Sequence, residues 1–332
     1  MTENPGLPYD LLARTAGYRW WRPLLGLVLF AALGLIALVL ATTLAQYLAL
    51  LVDGRTAGDA LTLLADESAV RAATEANPGM TELSLFLPLA AVLPAALLAA
   101  RLSRSGPLGS VGGRLRWSWL GECLATALLL WIVAQVAVVL LSPVPEGQEA
   151  AEFPGWPAFG AVAAIAVLVV PLQCAAEEYV FRGLLLRTLS SWFRLPWVGI
   201  LVTSAGFLSL HGYTDPIAWA FLVTLAIAGC WLTIRTGGLE AVIAMHVMNN
   251  SLAVLASGLG GDSDFEQAGE VPPGSVLPIV LAILGYAWWI DRRAARRELA
   301  TTPDGRVPVT ALGLRPPDWA GARHDRLPAR RP

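Results

Sequence analysis

From residue 24 onward, long apolar runs alternate with short polar stretches. A hydrocarbon core about 30 Å thick is crossed by roughly 20 apolar residues in a helix. Eight runs meet or approach that length: about 24–47, 83–100, 119–141, 159–186, 196–211, 217–234, 238–257 and 275–290. The second and fifth are short, and the fourth is long. The pattern predicts an all-α polytopic membrane protein with about eight transmembrane helices. The membrane domain spans 24–290, between a cytoplasmic or interfacial arm (1–23) and an Arg- and Pro-rich tail (291–332). That tail ends in "PDGRVPVTALGLRPPDWAGARHDRLPARRP", which has no helical period and reads as a disordered cytoplasmic segment.

Charge adds an orientation. Arg14, Arg19 and Arg22 precede the first run. Arg101, Arg104, Arg114 and Arg116 follow the second, Arg187 and Arg194 the fourth, Arg235 the sixth, and "DRRAARR" (291–297) the last. All fall on one side if both termini are cytoplasmic, as expected for an inner-membrane protein. The opposite connections carry only Arg55 and Arg71 and are acidic, as in "PVPEGQEAAEFPG" and "GGDSDFEQAGEVPPG". Trp20, Trp21, Trp117, Trp119, Trp156, Trp192, Trp197, Trp288 and Trp289 lie near run ends, where indole rings anchor at the bilayer interface.

Composition agrees and removes some classes. Only 14% of residues are charged, against about 25% in soluble domains. A net charge of −2 gives no electrostatic reason to expect nucleic acid, and the composition points to membrane lipid as a partner. All 23 basic residues are Arg. Cys123, Cys174 and Cys230 lie inside apolar runs, so no disulfide framework is implied. The N-terminal arm is too long and polar for a cleaved signal, so the first run is expected to stay in the membrane.

Against this background, a few polar residues stand out in the second half. The fourth run ends in "CAAEEYVFRGLL", with Glu177, Glu178 and Arg182. A charge at mid-bilayer depth costs roughly 2.5–3.5 kcal/mol on insertion scales, so three together need a reason. His211 closes the fifth run in "FLSLH", and His246, Asn249 and Asn250 lie in "HVMNN" of the seventh. Of the three histidines, only His324 is outside these runs.

Helical geometry sorts the set. Glu178 and Arg182 are i, i+4 and share a face, so they can pair; this is the expected structural brace. Glu177 points about 100° away and needs another partner. A desolvated carboxylate near a histidine suits a general base. His246 and Asn250 are also i, i+4 and would aim two donors at one point, as an oxyanion requires. Each residue has a plainer reading. Glu177 alone would be a solvated helix-end charge, with Arg187 marking the cytoplasmic turn. A lone intramembrane His is often a helix–helix hydrogen bond. Asn249 reads as packing or a spare donor, and Glu240 as interfacial. Together, a Glu, two His and an Asn on three membrane helices favour function.

"EEYVFRG", "FLSLH" and "HVMNN" resemble, in order and on separate helices, the three signature motifs of the CPBP (Abi) family of intramembrane endopeptidases, which includes the Ras-converting CAAX endopeptidase. Its pattern is E-E-x-x-x-R, F-x-x-x-H and H-x-x-x-N or D, here Glu177, Glu178 and Arg182; Phe207 and His211; His246 and Asn250. The resemblance covers about residues 160–256 and sets the catalytic core at about 159–257. It implies an eight-helix fold and peptide-bond hydrolysis within the membrane. Glu177 would activate water with help from His211, His246 and Asn250 would stabilise the tetrahedral intermediate, and Glu178 and Arg182 would support them. The target would be a prenylated C-terminus, a bacteriocin or peptide precursor, or another membrane protein. No cofactor is expected. The alternative is Zn2+ on Glu177, His211 and His246, but HExxH is absent and the i, i+4 partner of His246 is an amide.

Other classes stay in view. An inactive family member would serve as an immunity factor or scaffold. A proton-coupled transporter also uses intramembrane Glu, His and Arg, but lacks here the matched Gly/Pro-broken helices of two repeats. The polar groups of the fourth and fifth runs meet if the fourth helix continues past Phe181 toward Arg187. The expected result is a water-filled cavity near mid-depth, open to the cytoplasm.

Overall fold

The computed structural model describes residues 7–14, 18–141, 152–212, 215–260 and 273–303. Most of the acidic connections after the third and seventh runs, and the tail beyond residue 303, lie outside the described residues. The chain is an all-α polytopic membrane protein. Among the described residues, seven helices are long and apolar enough to cross a membrane, and one shorter apolar helix accompanies them.

The first half is a scaffold. Helix α1 (Trp21–Val52) is apolar on all sides, as a lipid-facing span must be. Two short helices follow, α2 (Ala57–Leu63) and α3 (Glu67–Glu75), capped by Thr56 and Asp66. Their small apolar faces, Ala60, Val70 and Ala73, close on Ala49 and Leu50 of α1. Helices α4 (Pro78–Ala90) and α5 (Val92–Leu102) together make the second span and pack on α1. Helix α6 (Trp117–Leu141) is the third.

The fourth span is one continuous helical rod, Trp156–Phe193, with two changes of gait. Helix α7 (Trp156–Leu168) gives way at Val169 to α8 (Val170–Glu178). Pro171, which has no N–H to donate, accounts for the interruption. Then Tyr179–Leu185 forms a π-helical turn, and Leu186 N–H donates to the Phe181 carbonyl five residues back. Helix α9 (Leu186–Phe193) completes the rod. Such wide turns often occur at functional sites, and this one follows Glu177 and Glu178 directly. The expected continuation past Phe181 is therefore present and goes beyond Arg187. Arg187 is not the mark of a solvated turn: it is buried where the rod meets residues 105–107, and its guanidinium donates to the Pro107 and Ser105 carbonyls at 2.7 and 3.0 Å.

Helix α10 (Pro196–Leu208) is the short span. Its 13 residues rise about 20 Å, less than a bilayer core. His211 lies in the turn just beyond it, with its N–H on the Leu208 carbonyl. Helix α11 (Pro216–Thr236) starts from an Asp215 cap. Helix α12 (Glu240–Gly258) is the most enclosed span and touches α6, α7, α8 and α11. Helix α13 (Pro273–Arg296) packs between α6 and α11 and runs into the stretch assigned to the tail.

At one end, the 103–116 connection is clasped to the α11–α12 turn. Ser110 bridges Gly238, Val111 N–H donates to Gly237 O, and Leu239 N–H to Gly109 O. Gly237 has φ +69°, a left-handed geometry that glycine adopts without strain. Glu240, expected at the interface, is fully buried here. Its Oε1 accepts from Arg116 N–H and Nε at 2.8 Å each, and its Oε2 from Nη2 at 2.7 Å. Tyr9 of the N-terminal arm is buried too, and its hydroxyl donates to the Leu108 carbonyl. Burial pushes its phenol well above the ordinary range, so it stays protonated as a donor. Trp119 also departs from expectation: it is 1% exposed and belongs to the core rather than the interfacial belt.

Candidate functional site

The site forms where α8 and its π turn meet α12, with α10 and α11 closing the sides. Arg182, in the π turn, is 1% exposed. Its Nη1 lies 3.1 Å from Glu178 Oε2, as the i, i+4 spacing predicts. Its Nη2 donates to the Ala226 carbonyl of α11 at 3.2 Å. The Phe207 ring covers the guanidinium, 4.7 Å from its centroid. Gly229 makes room for it: a Cβ there would stand 3.1 Å from Nη2. A buried arginine thus keeps a carboxylate, a carbonyl and an aromatic face, the partners that make its burial tolerable.

Glu178 joins the rod to α12. Its Oε1 faces His246 Nδ1 at 2.7 Å, and both side chains are almost fully buried. A carboxylate oxygen facing Nδ1 needs the hydrogen on Nδ1. Asn250, one turn on, has Nδ2 3.2 Å from His246 Nε2 and 3.3 Å from Gln173 Oε1. The expected shared face is therefore real, but the two groups are not parallel donors at rest: the Asn250 amide faces the imidazole.

Glu177 points away from Glu178, as one-residue spacing requires. Its Oε1 accepts from Gln173 Nε2 at 2.5 Å. Its Oε2 is buried, has no hydrogen-bond partner on the protein, and stands 3.8 Å from His246 Nε2. This carboxylate is only partly enclosed, 16% exposed against 1% for Glu178.

His211 reaches the cluster through Phe207. Its Nδ1 lies 2.9 Å from the Phe207 carbonyl, and its ring centroid 4.7 Å from that of Phe207. The Phe207 ring also stands 6.1 Å from the His246 ring and edge-on to Phe181 at 5.2 Å. The phenylalanine of "FLSLH" thus sets Arg182, His211 and His246 around one ring.

Two contributors, Gln173 and Trp131, escaped the sequence reading, and a third, Asn249, does more than that reading gave it. Gln173 sits one turn before Glu177 and is 2% exposed; a glutamine in an apolar run was a visible signal. Asn249 is more than a spare amide, because its Nδ2 donates to Asn250 Oδ1 at 3.0 Å. Trp131, from α6, donates to Asn249 Oδ1 at 3.3 Å. Nothing in the sequence ties position 131 to position 249. Among the described residues, no three His, Cys, Asp or Glu side chains are grouped to hold a metal ion. His246 Nδ1 is already engaged by Glu178.

Residues 158–252 match the family model described as type II CAAX prenyl endopeptidase, Rce1-like. The matched stretch contains all three motifs, and the resemblance read from them is borne out. The chain is also 27% identical over 168 residues to the uncharacterized protein YyaK of Bacillus subtilis (strain 168), across 48% of this chain and 55% of that protein. It thus spans about half the length of that curated relative. No solved structure matches.

Proposed function

We propose that this chain is an intramembrane endopeptidase that hydrolyses a peptide bond with water activated by Glu177. The observation that carries the reading is Glu177 Oε2: a buried carboxylate oxygen with no protein donor, beside His246 and on the less enclosed side of the cluster. Such an oxygen suits the proton of a water held between it and an imidazole.

The step balances simply. Glu177 Oε2 takes one proton from water while the water oxygen bonds to the scissile carbonyl carbon. The carbonyl oxygen becomes an oxyanion, met by the α12 face, where Asn250 Nδ2 turns a hydrogen toward it beside His246. Glu177 then returns the proton to the leaving nitrogen as the C–N bond breaks. His211 assists as a second acceptor. Its Nδ1 faces the Phe207 carbonyl at 2.9 Å, which orients the ring beside the cluster. Glu178 and Arg182 hold His246 and touch no substrate. No metal enters these steps.

The family match favours a prenylated C-terminal peptide as substrate, and a peptide precursor or another membrane protein stands behind it. The setting would be a bacterial inner membrane with both termini cytoplasmic, as the arginine distribution suggests. The test compares peptide termini from cells carrying wild type or Glu177→Gln at matched expression. Termini present only with wild type support the reading. Matching profiles with both proteins folded in the membrane reject it. Cleavage by purified protein that survives a strong chelator supports the metal-free step, and loss restored by zinc overturns it.

A further inference from the structure

Hydrogen-bond direction in the site is held from both ends: the Glu177 and Glu178 carboxylates only accept, and an indole outside the three motifs only donates. Asn and Gln amides and imidazoles can each reverse donor and acceptor, so a chain of them has two polarities. An indole N–H cannot reverse; it only donates. Trp131 Nε1 stands 3.3 Å from an oxygen of Asn249 and therefore makes that atom the acceptor. Asn249 must then present Nδ2 to Asn250, whose facing atom is Oδ1 at 3.0 Å. Asn250 in turn presents Nδ2 to Gln173 Oε1 at 3.3 Å and to His246 Nε2 at 3.2 Å. Gln173 Oε1 also accepts from the Cys174 thiol at 3.2 Å, which agrees with its being the oxygen. Gln173 is left to donate from Nε2 to Glu177 Oε1.

We infer that Trp131 sets the polarity of this amide chain, and that Trp131 and Asn249 are positioning residues for Glu177 and His246. Two consequences meet at the site. Glu177 Oε1 is capped by an N–H, so Oε2 is the oxygen left to take a proton. Glu178 already holds a hydrogen on His246 Nδ1, and the N–H that Nε2 receives from Asn250 keeps Nε2 itself unprotonated. The opposite polarity would place the Asn250 oxygen on Nε2, favour a hydrogen there, and turn the Gln173 oxygen toward Glu177. Two acceptors would then face each other, and Glu177 would lose its orientation. Trp131 is well placed to impose the choice. It is 1% exposed, and its ring meets Tyr286 edge-on at 6.1 Å, while the Tyr286 hydroxyl is anchored on Ala241 O at 2.8 Å. Trp131 also lies outside the family-matched stretch.

The assignment of a role to these residues rests on the proposed proteolysis, but the polarity can be tested without it. The full chain is labelled with nitrogen isotope in histidine only and studied by NMR in lipid nanodiscs. His211→Gln and His324→Gln variants assign the signals. Wild type is expected to show His246 with Nε2 unprotonated. Trp131→Phe, which keeps the ring against Tyr286 and removes the donor, is expected to add a fraction in which Nε2 is protonated as well as Nδ1. On a farnesylated C-terminal peptide, its kcat falls about threefold to tenfold, the worth of one hydrogen bond, while KM stays within about twofold. If Trp131→Phe fails to fold, Asn249→Leu removes the next donor and carries the same expectation. A His246 signal with Nε2 protonated in wild type, or unchanged in a folded variant, overturns the inference. A wild type that cleaves nothing rejects the proteolysis instead, and the nitrogen signals still decide the polarity.

Discussion

Two arginine–glutamate pairs with buried carboxylates sit on α12 and its neighbours, and they differ in what they leave unused. In the clasp, Glu240 spends both oxygens on Arg116, and Arg116 spends its remaining donors on the Ala300 and Thr236 carbonyls at 3.2 and 2.9 Å. That pair fixes the 103–116 connection to the start of α12 and has nothing left to react with. In the site, Glu178 is shared between Arg182 and His246, and the carboxylate beside it keeps a buried oxygen without a donor. A carboxylate whose acceptor positions are all filled is a strut. One with an oxygen that meets neither a donor nor an arginine, next to an imidazole, is placed to face a water.

That contrast is broken most severely by Glu177→Gln. The change keeps the Gln173 contact within reach of an amide oxygen but removes the proposed base. Cleavage should fall about a thousandfold with an unchanged thermal midpoint, measured on purified protein with a fluorogenic farnesylated peptide. In the strut, Arg116→Ala should do the reverse. It leaves the fully buried Glu240 carboxylate without its cation, at a cost of about 3–5 kcal/mol in stability. Thermal unfolding in detergent would show this, while kcat per folded molecule stays within about twofold. If Arg116→Ala loses turnover at unchanged stability, the division between strut and reagent is wrong.

Gly229→Ala sharpens the boundary between the two regions. The added methyl would stand 2.8 Å from Val242 Cγ2 and 3.1 Å from Arg182 Nη2. Overpacking of this size costs about 1–3 kcal/mol. Because the displaced group is the Arg182 that holds Glu178, turnover should fall about tenfold as well, read from kcat and the unfolding midpoint of one preparation. Glu122→Gln is the mildest case. Glu122 pairs with Arg293 and Arg297 at the exposed ends of α6 and α13, and solvent screening keeps its loss within about 0.5 kcal/mol. A larger shift would mean that this end of α13 is more than a surface pairing.

The spans were legible along the chain because a bilayer demands length and apolarity, properties any window of sequence displays. Glu178–Arg182 and His246–Asn250 were legible for a related reason: a helix turns i and i+4 onto one face whatever surrounds it. The three motifs supplied Glu177 and His211. Burial was less legible. Arg187, Glu240 and Trp119 sit near span ends, where an interfacial reading is the default, yet each is enclosed by a segment far away in sequence. Arg187 meets the 103–116 connection, Glu240 meets Arg116, and Trp119 is enclosed in the core.

Sequence alone thus determined the membrane class, the approximate spans and the polar pairs that share a helix face, because these follow from hydropathy and from the period of a helix. Only the tertiary structure decided which oxygen of Glu177 is left without a donor, which nitrogen of His246 meets Glu178, and that an indole on α6 ends the amide chain. Those outcomes depend on atoms brought together across more than a hundred residues, as with Trp131 and Asn249. A hydrogen bond forms only at the distance and direction that the folded helices impose.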